Sequence, residues 1–275
     1  IKQTEAFHNN SIKSLALDGN GDLLAGTDNG LYVYHNDTTP LQHIIHDSRN
    51  IQSLTNNIIW NIFADQEHNI WLGTDYGISL SRYNSALQFI PISQITGTGD
   101  GNQFYSLFRD SKGFYWFGGA NGLIRFTDPA GERHDAIWYR MGDKTYPLSH
   151  NRIRHIYEDK EQQLWIATDG SINRYDYATR QFIHYNIVDN TGTYNTNWTY
   201  YIFEDTAGQL WISTCLGGIF VVDKHKLMQS TSGQYIAEQN YSVHNGLSGM
   251  FINQIIPDNE GNVWVLLYNN KGCLL

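Results

Sequence analysis

An aspartate six residues ahead of a tryptophan recurs along the chain, as Asp65/Trp71, Asp110/Trp116, Asp159/Trp165, Asp205/Trp211 and Asp258/Trp264. A degenerate sixth copy, Asp18/Leu24, keeps the Ala25-Gly26-Thr27 that follows. Successive copies, counted from Leu24 through Trp264, lie 45 to 53 residues apart. A period of this size marks a chain assembled from equivalent supersecondary units, none of which can bury its apolar face alone. The units fall at about 8–50, 51–96, 97–146, 147–192, 193–245 and 246–275, with 1–7 available to close the last of them. Together they form one domain over 1–275.

The pattern inside each copy is that of strands. Apolar residues stand six and three positions before the aspartate, as in Ile12 and Leu15, Ile59 and Ile62, Phe104 and Leu107, Ile153 and Ile156, or Ile252 and Ile255. These runs are short, rich in β-branched and aromatic types, and end at a turn. The aspartate opens that turn, and Gly21, Gly113, Gly208 or Gly261 supplies the positive φ it needs. A Trp-Ile-Gly-Thr-like strand follows. A second turn at Gly30, Gly77, Gly122 or Gly217 leads to a third strand. Phe89-Ile90, Phe182 to Tyr185 and Tyr235-Ile236-Ala237 read as fourth strands. The expected fold is therefore all-β: a β-propeller of four-stranded antiparallel blades, six repeats being visible as a closed six-bladed ring or a sector of a seven-bladed one.

Composition narrows the function. With 18 Lys plus Arg against 27 Asp plus Glu, a net charge of −9 argues against binding to a nucleic-acid backbone. No apolar run is long enough to cross a bilayer as a helix. There is no His-Glu-x-x-His zinc motif, phosphate-binding loop or nucleophile elbow, so no catalytic residue, metal site or cofactor is assigned. Cys215 and Cys273 are too few for a disulfide framework; buried thiols are the simplest reading, and a link between neighbouring blades stays open.

Internal comparison separates scaffold from site. Positions shared by all copies serve the blade: the aspartates as turn residues, the tryptophans as packing between blades. The position five residues before the aspartate is different in kind, holding Lys13, Trp60, Tyr105, Arg154, Tyr200 and Asn253. Strand alternation sets it opposite the apolar residue just before it. Arg152, His155 and Trp198 lie close by in sequence. Aromatic faces stack on sugar C–H surfaces while Arg, Asn and Lys bond hydroxyls, so the mixture suits a polyhydroxylated ligand. The simpler alternative is that these side chains fill a solvated channel.

The runs Asn57 to Asp65 continuing through Trp71-Leu72-Gly73-Thr74 to Ile78, and Asn151 to Asp159 continuing through Trp165-Ile166-Ala167-Thr168, resemble the two-component regulator propeller repeat. The resemblance implies the periplasmic sensor region of a Bacteroides-type hybrid two-component system, in which the strand bearing the variable position lines a central channel. It implies an oligosaccharide ligand and a signal relayed to a histidine kinase outside this chain. It further implies, as partners, the remaining propeller, immunoglobulin-like and kinase parts of a longer protein that is a homodimer at full length. Six repeats and no kinase make the chain a fragment of such a protein. Leu24 for Trp, and Val265-Leu266-Leu267 for Ile-Gly-Thr, depart from the pattern. Two other readings remain: a metal-dependent propeller lyase using His155 with Glu158, and a structural dimerisation module.

Overall fold

The computed structural model describes residues 11–35, 42–83, 89–91, 102–127, 136–145, 147–231, 233–268 and 272–274, with backbone only at 89–91 and 272–274. Residues 1–7 and the Cys273 side chain lie outside the described part. The chain divides into two compact units, 1–138 and 139–275.

The first unit holds three antiparallel four-stranded sheets. These are β1–β4 (Ile12–Leu17, Leu23–Thr27, Gly30–Tyr34, Gln42–Ile44), β5–β8 (Ile59–Ala64, Ile70–Thr74, Gly77–Ser81, Phe89–Pro91) and β9–β12 (Phe104–Arg109, Tyr115–Gly119, Gly122–Phe126, Ile137–Tyr139), whose last strand runs across the division. The second unit continues with β13–β16 (Ile153–Glu158, Leu164–Thr168, Ser171–Asp176, Gln181–Tyr185), the short β17 (Ile187–Val188) and β18–β20 (Thr199–Glu204, Gln209–Thr214, Ile219–Asp223). Helix α1 (Lys224–Gln229), β21 (Tyr235–Ile236), β22 (Gln239–Tyr241) and β23–β25 (Ile252–Pro257, Val263–Leu267, Gly272–Leu274) complete it. Each large sheet is a propeller blade.

The aspartate turn follows from hydrogen-bond supply. In the fourth blade Asp159 Oδ1 accepts the N–H groups of Glu161 and Gln163, both at 2.9 Å, and Asp110, Asp205 and Asp258 do the same in their own turns. The other oxygen accepts the indole N–H six residues on, at 2.8–3.0 Å for Trp71, Trp116, Trp165, Trp211 and Trp264. The tryptophan is thus a hydrogen-bond donor as well as packing. His68 and Gln162 take the left-handed conformation that glycines hold in other copies, at φ 63° and 61°.

Two local expectations change. The second turn of the fifth blade uses Gly218 at φ 80°, not Gly217, because Thr214 Oγ1 bonds the Gly218 carbonyl. The fourth strand of that blade is β22 rather than Tyr235 to Ala237. Asp223 caps α1 by accepting the His225 and Lys226 N–H groups, and the detour it starts carries β21 to a parallel pairing with β17 instead.

Blades pack through the apolar pair of each first strand. Ile59 and Ile62 join Leu24, Leu31 and Val33 of the blade before; Phe104 and Leu107 join Trp71. In the second unit Ile202 packs on Trp165, and Ile252 and Ile255 on Phe203 and Ile219. The first blade has no described neighbour on this side, and Ile12 and Leu15 are 46% and 57% exposed, against 0% and 7% for Ile59 and Ile62. Ile62→Ala should therefore lower unfolding free energy by about 2–5 kcal/mol. Leu15→Ala, at the same position of the first repeat, should change it by no more than about 0.5 kcal/mol. Urea titration of the two variants checks the contrast.

Candidate functional site

All six residues at the variable position sit at one kind of backbone irregularity. On β1, Ile12 pairs with Thr27 and Ser14 with the adjacent Gly26, so Lys13 has no partner across the ladder. The same skip leaves out Trp60, Tyr105, Arg154, Tyr200 and Asn253. Each is the extra residue of a β-bulge, a device that bends the strand and re-aims a side chain. Simple alternation therefore does not set their direction, and the ladder places no demand on their identity.

Five of these side chains meet one another, three in the first unit and two in the second. In the first, the Lys13 ammonium lies 4.5 Å from the centre of the Trp60 ring, and Trp60 meets Tyr105 edge-on at 5.5 Å. Asp75 holds the row from below, accepting the Trp60 indole N–H at 3.0 Å and the Gln103 amide at 2.6 Å. Tyr105 donates its hydroxyl to the same Gln103. In the second unit the Arg154 guanidinium lies 4.5 Å from the Tyr200 ring centre and forks onto Asp169 at 2.7 and 3.2 Å. Arg152, more exposed, approaches Asp169 at 3.8 Å. Cys215, a buried free thiol, takes the place that Asp75 and Asp169 hold in other blades. Burial pushes the Tyr200 hydroxyl and the Cys215 thiol above their usual pKa values. Asn253 is exposed on the sixth blade.

Asp75 and Asp169 were not singled out from sequence, yet each lies 15 residues after its bulge residue. That constant spacing is the signal that would have found them.

Two expected site residues stand apart from these rows. His155 follows the bulge, stacks on Tyr201 with ring centres 3.8 Å apart, and accepts the Ile202 N–H of the next blade on Nδ1 at 3.3 Å. Ser14 and Asn61 use the same position to accept Ile62 and Leu107 N–H groups. His155 therefore joins blades, and its bonded Nδ1 is not open to a metal. Trp198 belongs to the loop entering β18, half exposed and at φ 55°. Among the described residues no three His, Cys, Asp or Glu side chains are grouped to hold a metal ion.

Antiparallel blades repeated with the same turn, indole bond and bulge define a β-propeller whose first-strand bulge residues vary from blade to blade. The two-component regulator propeller model matches residues 53–76, 98–121 and 147–170, so the chain carries repeats of that kind. It is 98% identical over its whole length to the extracellular domain of BT4673 from B. thetaiotaomicron, assigned to a hybrid two component system, with a TM-score of 0.66. It spans 37% of that chain. The extracellular domain of BT3049 from the same organism is 23% identical over 94% of this chain and 32% of its own, with a TM-score of 0.70. Virginiamycin B lyase from Staphylococcus aureus, 13% identical over 99% of this chain and 86% of its own at a TM-score of 0.68, shares the fold. A comparison with curated proteins finds no significant match.

Withdrawal from water pushes the His155 pKa down to about 3, whereas the unfolded chain's histidine titrates near 6.5. The folded state thus gains stability from a neutral His155 above pH ~6.5 and loses it as the pH falls toward the folded pKa. The stability gap between the wild type and His155→Asn should narrow between about pH 6.5 and 4. Thermal unfolding of both proteins across that range checks it.

Proposed function

We propose that this chain is a ligand-sensing propeller from the periplasmic region of a hybrid two-component sensor, and that the bulge-borne side chains contact an oligosaccharide. The extracellular placement of its near-identical relative supports the first part. The bulges carry the second: six copies of a local geometry interrupt the ladder at one residue and leave one side chain per blade outside the pairing. What occupies those positions is a set of aromatic rings and polar or cationic groups, the chemistry that grips a sugar's apolar face and its hydroxyls.

In this reading the protein is a receptor and not an enzyme. Its partners are the oligosaccharide and the remaining propeller, immunoglobulin-like and kinase parts of the full-length homodimer. Signalling requires the ligand to favour one of two arrangements of that assembly.

Asp169 and Asp75 determine which substitutions are informative. Arg154→Ala would leave the Asp169 carboxylate without its forked partner and so disturb the fold. Trp60→Ala leaves Asp75 bonded to Gln103, and Tyr200→Ala removes the ring that Arg154 covers together with the hydroxyl that bonds the Cys215 thiol. Each should weaken binding of the cognate oligosaccharide about two- to tenfold, the worth of one stacking contact, with a thermal midpoint close to wild type. Calorimetric titration of a panel of polysaccharide-derived oligosaccharides provides the measurement; wild-type affinity in both variants would remove the bulge positions from the site.

A further inference from the structure

A second surface in the second unit has the construction of a binding site. Two neighbouring clefts of about 500 and 380 Å3 share the wall formed by Thr193 and Tyr194, and both volumes fall within the range of ligand sites. The larger runs between the Asp189–Tyr194 turn and the chain from Ala237 to Asn245; the smaller ends on Trp198 and Leu216.

The walls are fixed before any ligand arrives. The Asp189 carboxylate accepts the Tyr194 N–H at 2.8 Å and the Thr191 hydroxyl, and Val188 bridges to Asn195. The β17–β21 pair ties this turn to the detour of the fifth blade, with Ala237 N–H on the Val188 carbonyl at 2.9 Å. Across the cleft, Asn245 accepts the Ser242 N–H and donates to the Asn240 carbonyl. Tyr194 packs partly into the core between the fourth and fifth blades, so its ring is a rigid divider.

Trp198 is the feature that scaffold needs do not explain. A bulky residue at φ 55° is strained. Its carbonyl takes the Cys215 N–H just as Ile58 and Arg152 take the Asp75 and Asp169 N–H groups, while the bond from its own N–H to the Asp169 carbonyl has no counterpart in the other described blades. The strain places a half-exposed indole beside Asn197, Asn195 and Leu216. Both residues it bonds neighbour the Arg154–Tyr200 row, so the smaller cleft opens at the edge of that row.

We infer that the clefts form an extended site for a neutral oligosaccharide, with one sugar ring stacked on Trp198 and following units crossing Tyr194 toward Asn240 and Asn245. The ligand class follows from the lining. Amides, hydroxyls and two aromatic rings dominate, Asp189 and Glu238 add negative charge, and neither cleft has a lysine or arginine. Glu238 is shared with Lys226 at 3.6 Å, but Asp189 has no cationic partner in the lining, so acidic sugars would meet like charge there. The inference extends the saccharide reading above by giving that ligand a length and a charge.

Titration of this chain with gluco-, galacto- and xylo-oligosaccharides, from disaccharides upward, and with oligogalacturonates as the acidic set, tests it. Affinity should rise with length among the neutral sugars. Trp198→Gly relieves the left-handed backbone while deleting the ring, so it should keep or raise the thermal midpoint and lower affinity for the longer neutral oligomers about tenfold. Binding confined to the acidic set, no binding by any neutral member, or wild-type affinity in Trp198→Gly overturns it. The two readings separate cleanly: loss on Tyr200→Ala with none on Trp198→Gly keeps the bulge row and removes the clefts, and the converse does the opposite.

Discussion

The carboxylate that opens each blade's turn is the point from which the architecture is built. Asp159 shows its full use: Oδ1 takes two N–H groups of its own turn, and Oδ2 takes the Trp165 indole at 2.9 Å and the Lys224 ammonium at 3.2 Å. A buried carboxylate lacking such partners would cost several kcal/mol. Supplied with them, it fixes the turn, the rotamer of the tryptophan and one contact from the following blade in a single group. Asp65 repeats the scheme with the Tyr115 hydroxyl as the contribution of the next blade. Where the indole is missing, as with Leu24, the Asn20 amide reaches Asp18 Oδ2 instead. The tryptophan can be replaced, but its bond to the carboxylate is filled from elsewhere.

Lys224 shows how far this logic carries an inserted element. It lies in α1, is fully buried, and meets Glu204 at 2.7 Å as well as Asp159. Those carboxylates hold it protonated against the opposing effect of burial. Helix α1 is too short to be stable by itself; its lysine and the Asp223 cap fasten it. The detour it begins creates both β21 and one wall of the larger cleft. A charge network that belongs to the scaffold thus positions the surface where a ligand would bind.

The scaffold was legible in the sequence because identical demands recur six times. Every blade needs the turn carboxylate, the positive-φ residue and the apolar pair, and comparison among copies exposes them. His68 and Gln162 escaped because the turn demands a backbone conformation, not a glycine as such. The fifth blade's last strand was misplaced for a related reason. Tyr235-Ile236 is a strand by composition and in fact, but its partner is β17, and pairing is a tertiary property that local pattern does not encode. The bulge was hidden in the same way: Ile153-Arg154-His155-Ile156 sets two polar residues between apolar ones, and only the register across the sheet shows that Arg154 is the unpaired one. That is why His155 was grouped with Arg154 although one faces the next blade and the other the row.

Repetition also explains why apolar surface is unevenly spent. Each junction between blades has two unlike halves: the first-strand pair from one blade, and the second- and third-strand residues of the blade before it. The first blade displays the former half to water through Ile12 and Leu15, and the sixth displays the latter through Trp264, 51% exposed, and Leu266. Trp264 keeps its bond to Asp258 there, so the hub does not depend on being covered by a neighbour. The bond within a blade and the packing between blades are therefore distinct interactions, the one made by the carboxylate and the other by burial of the pair. The bulge residues lie outside both interactions, so blades can differ there without cost to the turn or to the junction.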